Sequence, residues 1–260
     1  MQRTYQDILD TAIEAAIEGG KITLQYFQTG SFQVETKADN SPVTVADRLA
    51  EQRIREIIVA RFPDHGVLGE EHGEQAGTGG TTWIIDPIDG TKSFIRGVPL
   101  YGVMIGVEID GEVEVGVVNF PALGEIYYAM RGCGTYWNGR RCRVSAVSDM
   151  GQAALLTTDA KHYTRETTKA EAHARLMAAT KIHRTWGDCY GHILVASGRA
   201  EIMLDPKMSV WDCAPLKVIL EEAGGHFTDW NGTPTIHGGE AISTNSALHG
   251  TVLEIVRNDR

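Results

Sequence analysis

The chain has 260 residues, is 42% hydrophobic and 22% charged, and carries a formal net charge of −10. It is long enough to bury a large core, and its acidity argues against non-specific binding to nucleic acid or anionic lipid. No run approaches the roughly 18 consecutive apolar residues of a membrane span, and Met1–Asp7 lacks the charged-then-apolar layout of a signal peptide. Cys133, Cys142, Cys189 and Cys213 form no CxxC pair and no zinc-like spacing, so reduced thiols in a cytoplasmic protein are expected.

Taken in order, Thr4 to Phe27 carries Ile8, Ala12, Ala15, Ala16, Ile22 and Tyr26 at near-helical spacing. Gly19-Gly20 in its middle predicts a kink or a close helix contact. Thr36 to Arg48 reads as a turn feeding a helix, with Thr44 as N-cap and Asp47 three residues on. Asp47 therefore has two readings, the acid of a capping box or an acceptor that orients water. The helix runs to about Phe62, and Pro63 stops it.

Val67 to Glu71 is a short apolar strand ending in two carboxylates, Glu70 and Glu71. His72 to Thr82, rich in Gly and Thr, predicts a flexible loop over the site. Trp83-Ile84-Ile85 then reads as the end of a buried strand. Asp86 meets a turn stiffened by Pro87, Asp89 follows three residues later, and Gly90 permits a backbone that a Cβ would resist. Carboxylates held this close repel each other unless a cation lies between them, and an oxygen-rich cluster suits Mg²⁺, Mn²⁺ or Ca²⁺. The bland alternative is an ordinary Asp-Pro and Asp-Gly surface turn. The amides after Gly90, with Thr91 beside them, are placed to face an anion.

Leu100 to Val107 and Val113 to Phe120 read as strands joined through Asp110-Gly111. Ile126 to Met130 is another strand, and Arg131 to Gly139 a second hairpin, so this half is an antiparallel meander. From about Val144 helices and strands alternate, with a strand at Ala153–Thr158 and a helix at Arg165–Thr180. Arg184 to Tyr190 precedes a helix of small residues ending near Gly198. Asp188 there is either a first-turn acid favoured by the helix dipole or a ligand for a cationic substrate group. Ala200–Leu204 is a strand leading to Asp205-Pro206. Val210 to Pro215 opens a helix over Leu216–Ala223, closed by Gly224-Gly225, with Asp212 at its start. Acidic groups at the ends of so many elements are explained together by a polyvalent cation site.

Leu68–Glu71, Trp83–Thr91 and Val210–Pro215, in that order and at that spacing, resemble the metal-dependent, lithium-sensitive phosphomonoesterases of the inositol monophosphatase superfamily. The likeness covers Thr4 to about Val256. It implies one α/β phosphatase domain over 1–260, an α+β layered sandwich of alternating helix and sheet layers. Its N-terminal half would be about 1–143, its C-terminal half about 144–260, and the assembly a homodimer. It also implies a small phosphate monoester as substrate, with two or three Mg²⁺ ions and Mn²⁺ as a substitute. Glu70, Asp86 and the carbonyl of Ile88 would hold the first ion, Asp86, Asp89 and Asp212 a second, and Glu70 or Glu71 would help a third. Asp47 with Thr91 would activate water, and Gly90, Thr91 and Lys92 would hold phosphate.

Within the superfamily, Thr36–Arg48, Gly90–Pro99 and Trp186–Tyr190 look most like the histidinol-phosphate phosphatase branch. Inositol enzymes usually differ at Lys92 and Arg96 and carry a small residue where Asp188 stands. The resemblance thus implies a substrate pocket of Arg184, Asp188 and Asp205, whose carboxylates suit a leaving group bearing an amine and an imidazole. Asp205 stands where inositol enzymes use a Glu for sugar hydroxyls, so it discriminates poorly. The first alternative is inositol-1-phosphate or a broad range of small phosphate esters, with bisphosphates ranking lower. A non-catalytic metal-binding interaction protein is the remaining class. The full set Asp47, Glu70, Asp86, Asp89, Thr91 and Asp212 counts against it.

Overall fold

The computed structural model describes residues 4–30, 33–37, 42–163 and 167–257. The turn expected across Ala38–Ser41 and the expected helix start at Arg165 lie outside them. Thr4 and Asp7 close a capping box at the start of α1 (Tyr5–Tyr26). The helix runs unbroken through Gly19-Gly20, so the pair serves close packing and makes no kink. A Cβ on Gly19 would lie 2.8 Å from Ile54 of the next long helix, and one on Gly20 would lie 2.5 Å from Asn119.

A two-stranded antiparallel ribbon, β1 (Val34–Thr36) and β2 (Pro42–Thr44), leads into α2 (Val45–Arg61). Then come β3 (Gly66–Gly69), β4 (Gly73–Gln75), β5 (Thr81–Asp89) and the short α3 (Thr91–Ile95). The meander follows as β6 (Gly102–Ile109), β7 (Glu112–Phe120), β8 (Glu125–Met130), β9 (Gly134–Trp137) and β10 (Arg140–Cys142). Asp110 and Gly111 both take positive φ between β6 and β7, as a tight hairpin turn requires. These strands form one sheet in the order β10-β9-β8-β7-β6-β5-β3-β4, antiparallel except where β3 runs beside β5.

The expected loop over His72–Thr82 is largely structured. β4 pairs with β3, the N–H of Thr78 donates to the carbonyl of Asp64, and Thr81 already belongs to β5. Glycine and polar residues disguised an edge strand as a loop. Arg131–Gly139 does supply the second hairpin, its turn after Met130 leading into β9, which pairs with β8.

The second half comprises β11 (Ala154–Thr157), α4 (Ala160–Tyr163), α5 (Thr167–Ala179), β12 (Ile182–Arg184) and α6 (Asp188–Ala196). It ends with β13 (Ile202–Asp205), α7 (Val210–Glu222), β14 (Gly225–Thr228), β15 (Ala241–Asn245) and α8 (His249–Arg257). Its sheet runs β12-β11-β13-β15-β14, parallel across the first three strands and antiparallel beyond. α7 begins at Val210 and carries Pro215 inside it, so the helix starts well before Leu216.

Alternation along the strands sorts the cores into layers. Ile85, Ile105 and Val117 pack against α1 and α2. Ile84, Met104 and Val118 point to the other face and share a core with α6, α7, Leu156 and Met203. Leu155, Ile202 and Ile242 bury the far face of the second sheet under α5 and α8. The order is helix, sheet, helix, sheet, helix, an α/β layered fold.

Candidate active site

Strand β5 breaks register with β6 between Asp86 and Asp89, and this irregularity turns both carboxylates toward one place. Asp86 Oδ1 accepts from the N–H of Ile88 at 2.9 Å, and the Thr91 hydroxyl donates to the carbonyl of Ile88 at 3.0 Å. Gly90, between them, has φ +82°, a left-handed conformation that disfavours any residue with a Cβ. From the far side, α7 brings Asp212, whose Oδ2 accepts from the N–H of Ser209 at 2.6 Å. Carboxylate oxygens of Asp86, Asp89 and Asp212 all lie within 4.8 Å of one another.

Burial, with Glu70, Asp89 and Asp212 close by, pushes the Asp86 carboxyl well above the usual carboxylate range. Burial and its neighbours lift Asp89 and Asp212 to about 7. Such mutual repulsion in an all-oxygen donor set is the condition that a hard divalent cation relieves. The residues present fit such an ion.

Glu70 and Glu71 follow β3, and the N–H of Glu70 donates to the carbonyl of Ile85. Lys37 bridges the two glutamates, 2.7 Å from Glu70 Oε1 and 2.5 Å from Glu71 Oε1. Burial opposes the charge on Lys37, but the two ion pairs outweigh it and hold the ammonium above its ordinary range. Glu71 is raised by burial. Asp47 is fully buried, and both the N–H and hydroxyl of Thr44 donate to its Oδ2, at 2.8 and 2.6 Å. It therefore does complete a capping box. Burial also lifts it to about 6.

Beside the cluster lies a cleft of about 160 Å³ lined by Asp89, Gly90, Thr91, Lys92, Thr158, Asp188, Asp205 and Asp212, with Pro42, Cys189, Lys207 and Met208. Asp188 opens α6 at φ +51°. Burial, then Asp89 and Asp205, push its carboxyl well above the usual range. Its N–H donates to the hydroxyl of Thr158, which in turn donates to Asp205 Oδ2, both at 2.8 Å. Lys92 reaches to 3.9 Å from Asp159. Arg184, expected in this pocket, lies outside it: at the end of the edge strand β12 its exposed guanidinium donates to the carbonyl of His183.

Sequence reasoning did not find Thr158, Lys207 or Met208 in the cleft, nor Lys37 between the glutamates. Lys37 left a signal, a lone cation in a polar turn of an acidic protein. Thr158 left none beyond ending a strand.

A layered α/β fold gathers buried carboxylates at a strand irregularity, in an all-oxygen set suited to a hard divalent cation, beside a cleft that holds Gly90, Thr91 and Lys92. The chain belongs to the inositol monophosphatase family, whose model matches residues 4–259. That family comprises metal-dependent phosphoric monoester hydrolases. The chain is 48% identical to the histidinol-phosphatase of Chlorobaculum parvum, over 96% of each chain. It is 37% identical to the histidinol-phosphatase of Mycobacterium tuberculosis, over 95% of this chain and 96% of that one. Among solved structures, the extragenic suppressor protein suhB of Bartonella henselae superposes with a TM-score of 0.91 at 28% identity, covering 97% of this chain and 99% of that one.

Proposed function

We propose that this protein is a Mg²⁺-dependent phosphomonoesterase that hydrolyses L-histidinol phosphate to L-histidinol and phosphate, the activity its relatives' names carry. The observation that carries this reading is one cleft shared by two acidic groups of different kind. Asp89 and Asp212 face it from the cation cluster, whereas Asp188 and Asp205 face it without belonging to that cluster. The first group answers a phosphate through cations; the second answers a positively charged leaving group directly.

In this reading Glu70, Asp86 and the Ile88 carbonyl would hold one ion, and Asp86, Asp89 and Asp212 a second. Glu71 would help a third, and Mn²⁺ would substitute. When bound, the ions neutralise the phosphate dianion, acidify a water and stabilise the leaving alkoxide. Thr91, whose hydroxyl proton is engaged by the Ile88 carbonyl, offers its oxygen lone pairs to a proton of the attacking water. Asp47 is the base for the water's other proton, a carboxyl near 6 suits that role at neutral pH, and the departing alkoxide takes its proton from solvent. Gly90, Thr91 and Lys92 hold the phosphate, and the water oxygen displaces the alkoxide at phosphorus with no covalent phosphoenzyme. Asp188 and Asp205 receive the ammonium and imidazole. Arg184, as placed, has no part in it.

The protein in this reading works as a cytoplasmic homodimer. Among the described residues no helix is long and apolar enough to cross a membrane, and all four cysteines are free. The test is kcat/KM with Mg²⁺ for L-histidinol phosphate and inositol-1-phosphate, side by side. A preference of about a hundredfold for the former, worth roughly 2.7 kcal/mol, is expected. Equal rates, or a preference for the inositol ester, overturn the substrate assignment. Loss of all hydrolysis in Asp86→Asn with the fold retained checks the cation cluster separately.

A further inference from the structure

The cation cluster absorbs the acids of β5 and α7, but not the buried histidine of α6. His192 stands in an otherwise apolar run, and it is fully buried. Its Nε2 lies 3.2 Å from Asp205 Oδ2, and its Nδ1 lies 2.7 Å from the hydroxyl of Ser243 on β15, which is also fully buried. A carboxylate only accepts, so Nε2–H donates to Asp205; in the neutral ring Nδ1 then accepts from the Ser243 hydroxyl. Thr158 donates to the same Oδ2 from the cleft side.

Asp205 is thus held on one oxygen by two donors, one from α6 and one from the loop after β11. Among the described residues no side-chain hydrogen bond reaches its other oxygen. A carboxylate on a short side chain, clamped on one oxygen, presents the other in a single direction. Thr158 carries that order further, because its hydroxyl also accepts the N–H of Asp188. A buried polar network of this kind fixes one arrangement when all its members are satisfied.

We propose that His192, oriented by Ser243, is a positioning residue that aims Asp205 at the cationic leaving group and so sets substrate preference. It acts through Asp205 and touches no substrate. The proposal rests on the histidinol-phosphate reading, since a leaving group with neither a cation nor a hydrogen-bond donor gains nothing from an aimed carboxylate. Aiming a group that meets only the leaving group changes discrimination between esters more than it changes turnover of esters in general.

The test is the ratio of kcat/KM for L-histidinol phosphate to that for p-nitrophenyl phosphate, whose leaving group bears no cation. It is measured for the wild type, His192→Leu, His192→Gln and Ser243→Ala. His192→Leu is expected to lower the ratio at least tenfold, mainly through KM for histidinol phosphate. His192→Gln keeps a donor toward Asp205 and is expected to recover part of that loss. Ser243→Ala is expected to lower the ratio about threefold. A purely structural role would reduce both substrates together, so ratios within twofold of wild type in all three variants overturn the proposal. If His192→Leu fails to fold, the same direction of change in the other two variants decides the matter. A wild type that cleaves p-nitrophenyl phosphate but not histidinol phosphate would instead sink the substrate reading. A wild-type preference that none of the variants moves sinks this inference alone.

Discussion

The backbone N–H of Cys189 donates to Oδ2 of Asp89 at 2.5 Å, tying the first turn of α6 to the end of β5. One carboxylate of the cation cluster is therefore oriented by the opposite half of the chain before any ion arrives. Orientation does not remove the cost of gathering these acids, as the rise of Asp89 to about 7 records. Asp89→Asn should abolish hydrolysis, with kcat down at least about a thousandfold. In EDTA it should also melt about 2–4 °C higher than wild type, because relieving roughly 1 kcal/mol of repulsion shifts Tm by that much in a chain of this size. Mg²⁺ should raise the wild-type Tm and leave the variant unmoved. A variant that Mg²⁺ still stabilises would count against Asp89 as a ligand.

Asp188 separates from Asp89 by the same measurement. Its carboxyl is also raised by burial and by the neighbouring acids, so Asp188→Asn should likewise raise Tm in EDTA. Asn tolerates the positive φ as well as Asp does. The Mg²⁺-induced shift should persist, because Asp188 lies outside the Asp86, Asp89, Asp212 triad. What should fall, about tenfold or more, is kcat/KM for histidinol phosphate relative to p-nitrophenyl phosphate. An unchanged ratio would remove Asp188 from the substrate pocket.

The strand-end acids were legible because their chemistry is local: Asp86-Pro87 and Asp89-Gly90 carry turn and charge within five consecutive residues. The meander was legible for the same reason, its hairpin being marked at Asp110-Gly111. What stayed hidden depends on contacts across the chain. Nothing near Thr158 says that its hydroxyl will bridge Asp188 and Asp205, because 47 residues separate it from the latter. β4 stayed hidden because strand propensity is weak at a glycine-rich edge whose pairing is supplied by β3. Pro215 suggested that the helix proper begins after it. Yet α7 accommodates the ring in its second turn, where the helix lies against glycines of the sheet.

That seat gives a prediction linking packing to chemistry. A Cβ on Gly116 of β7 would lie 2.5 Å from the carbonyl oxygen of Pro215 and 2.6 Å from Val218, so α7 must move to admit it. Gly116→Ala should cost about 2 kcal/mol of stability by overpacking, a fall of roughly 4–8 °C in Tm. Because α7 carries Asp212, the Mg²⁺ concentration giving half-maximal activity should also rise. Gly250→Ala, in α8 with open space around it, should instead stabilise by about 0.5–1 kcal/mol. A Gly116→Ala enzyme with wild-type Tm would show that the helix is not seated as described.

Acid should weaken the second half through a pair of imidazoles. His173 on α5 stacks on Tyr163 with ring centroids 4.1 Å apart, and its Nε2 lies 3.2 Å from Nε2 of His183 on β12. Burial, then His183, holds His173 down at about 4, and burial also lowers His183. In the unfolded chain such a ring titrates near 6.5. Between these values the folded state binds fewer protons than the unfolded one. This contribution to stability is therefore complete above about pH 6.5 and is lost as pH falls toward 4. Solvent around the pair reduces the effect to about 1 kcal/mol by pH 5. His173→Phe keeps a ring on Tyr163 without a titrating nitrogen, so its Tm should fall about 2–4 °C less than wild type between pH 7 and pH 5. Parallel melting curves across that range would assign the acid sensitivity elsewhere.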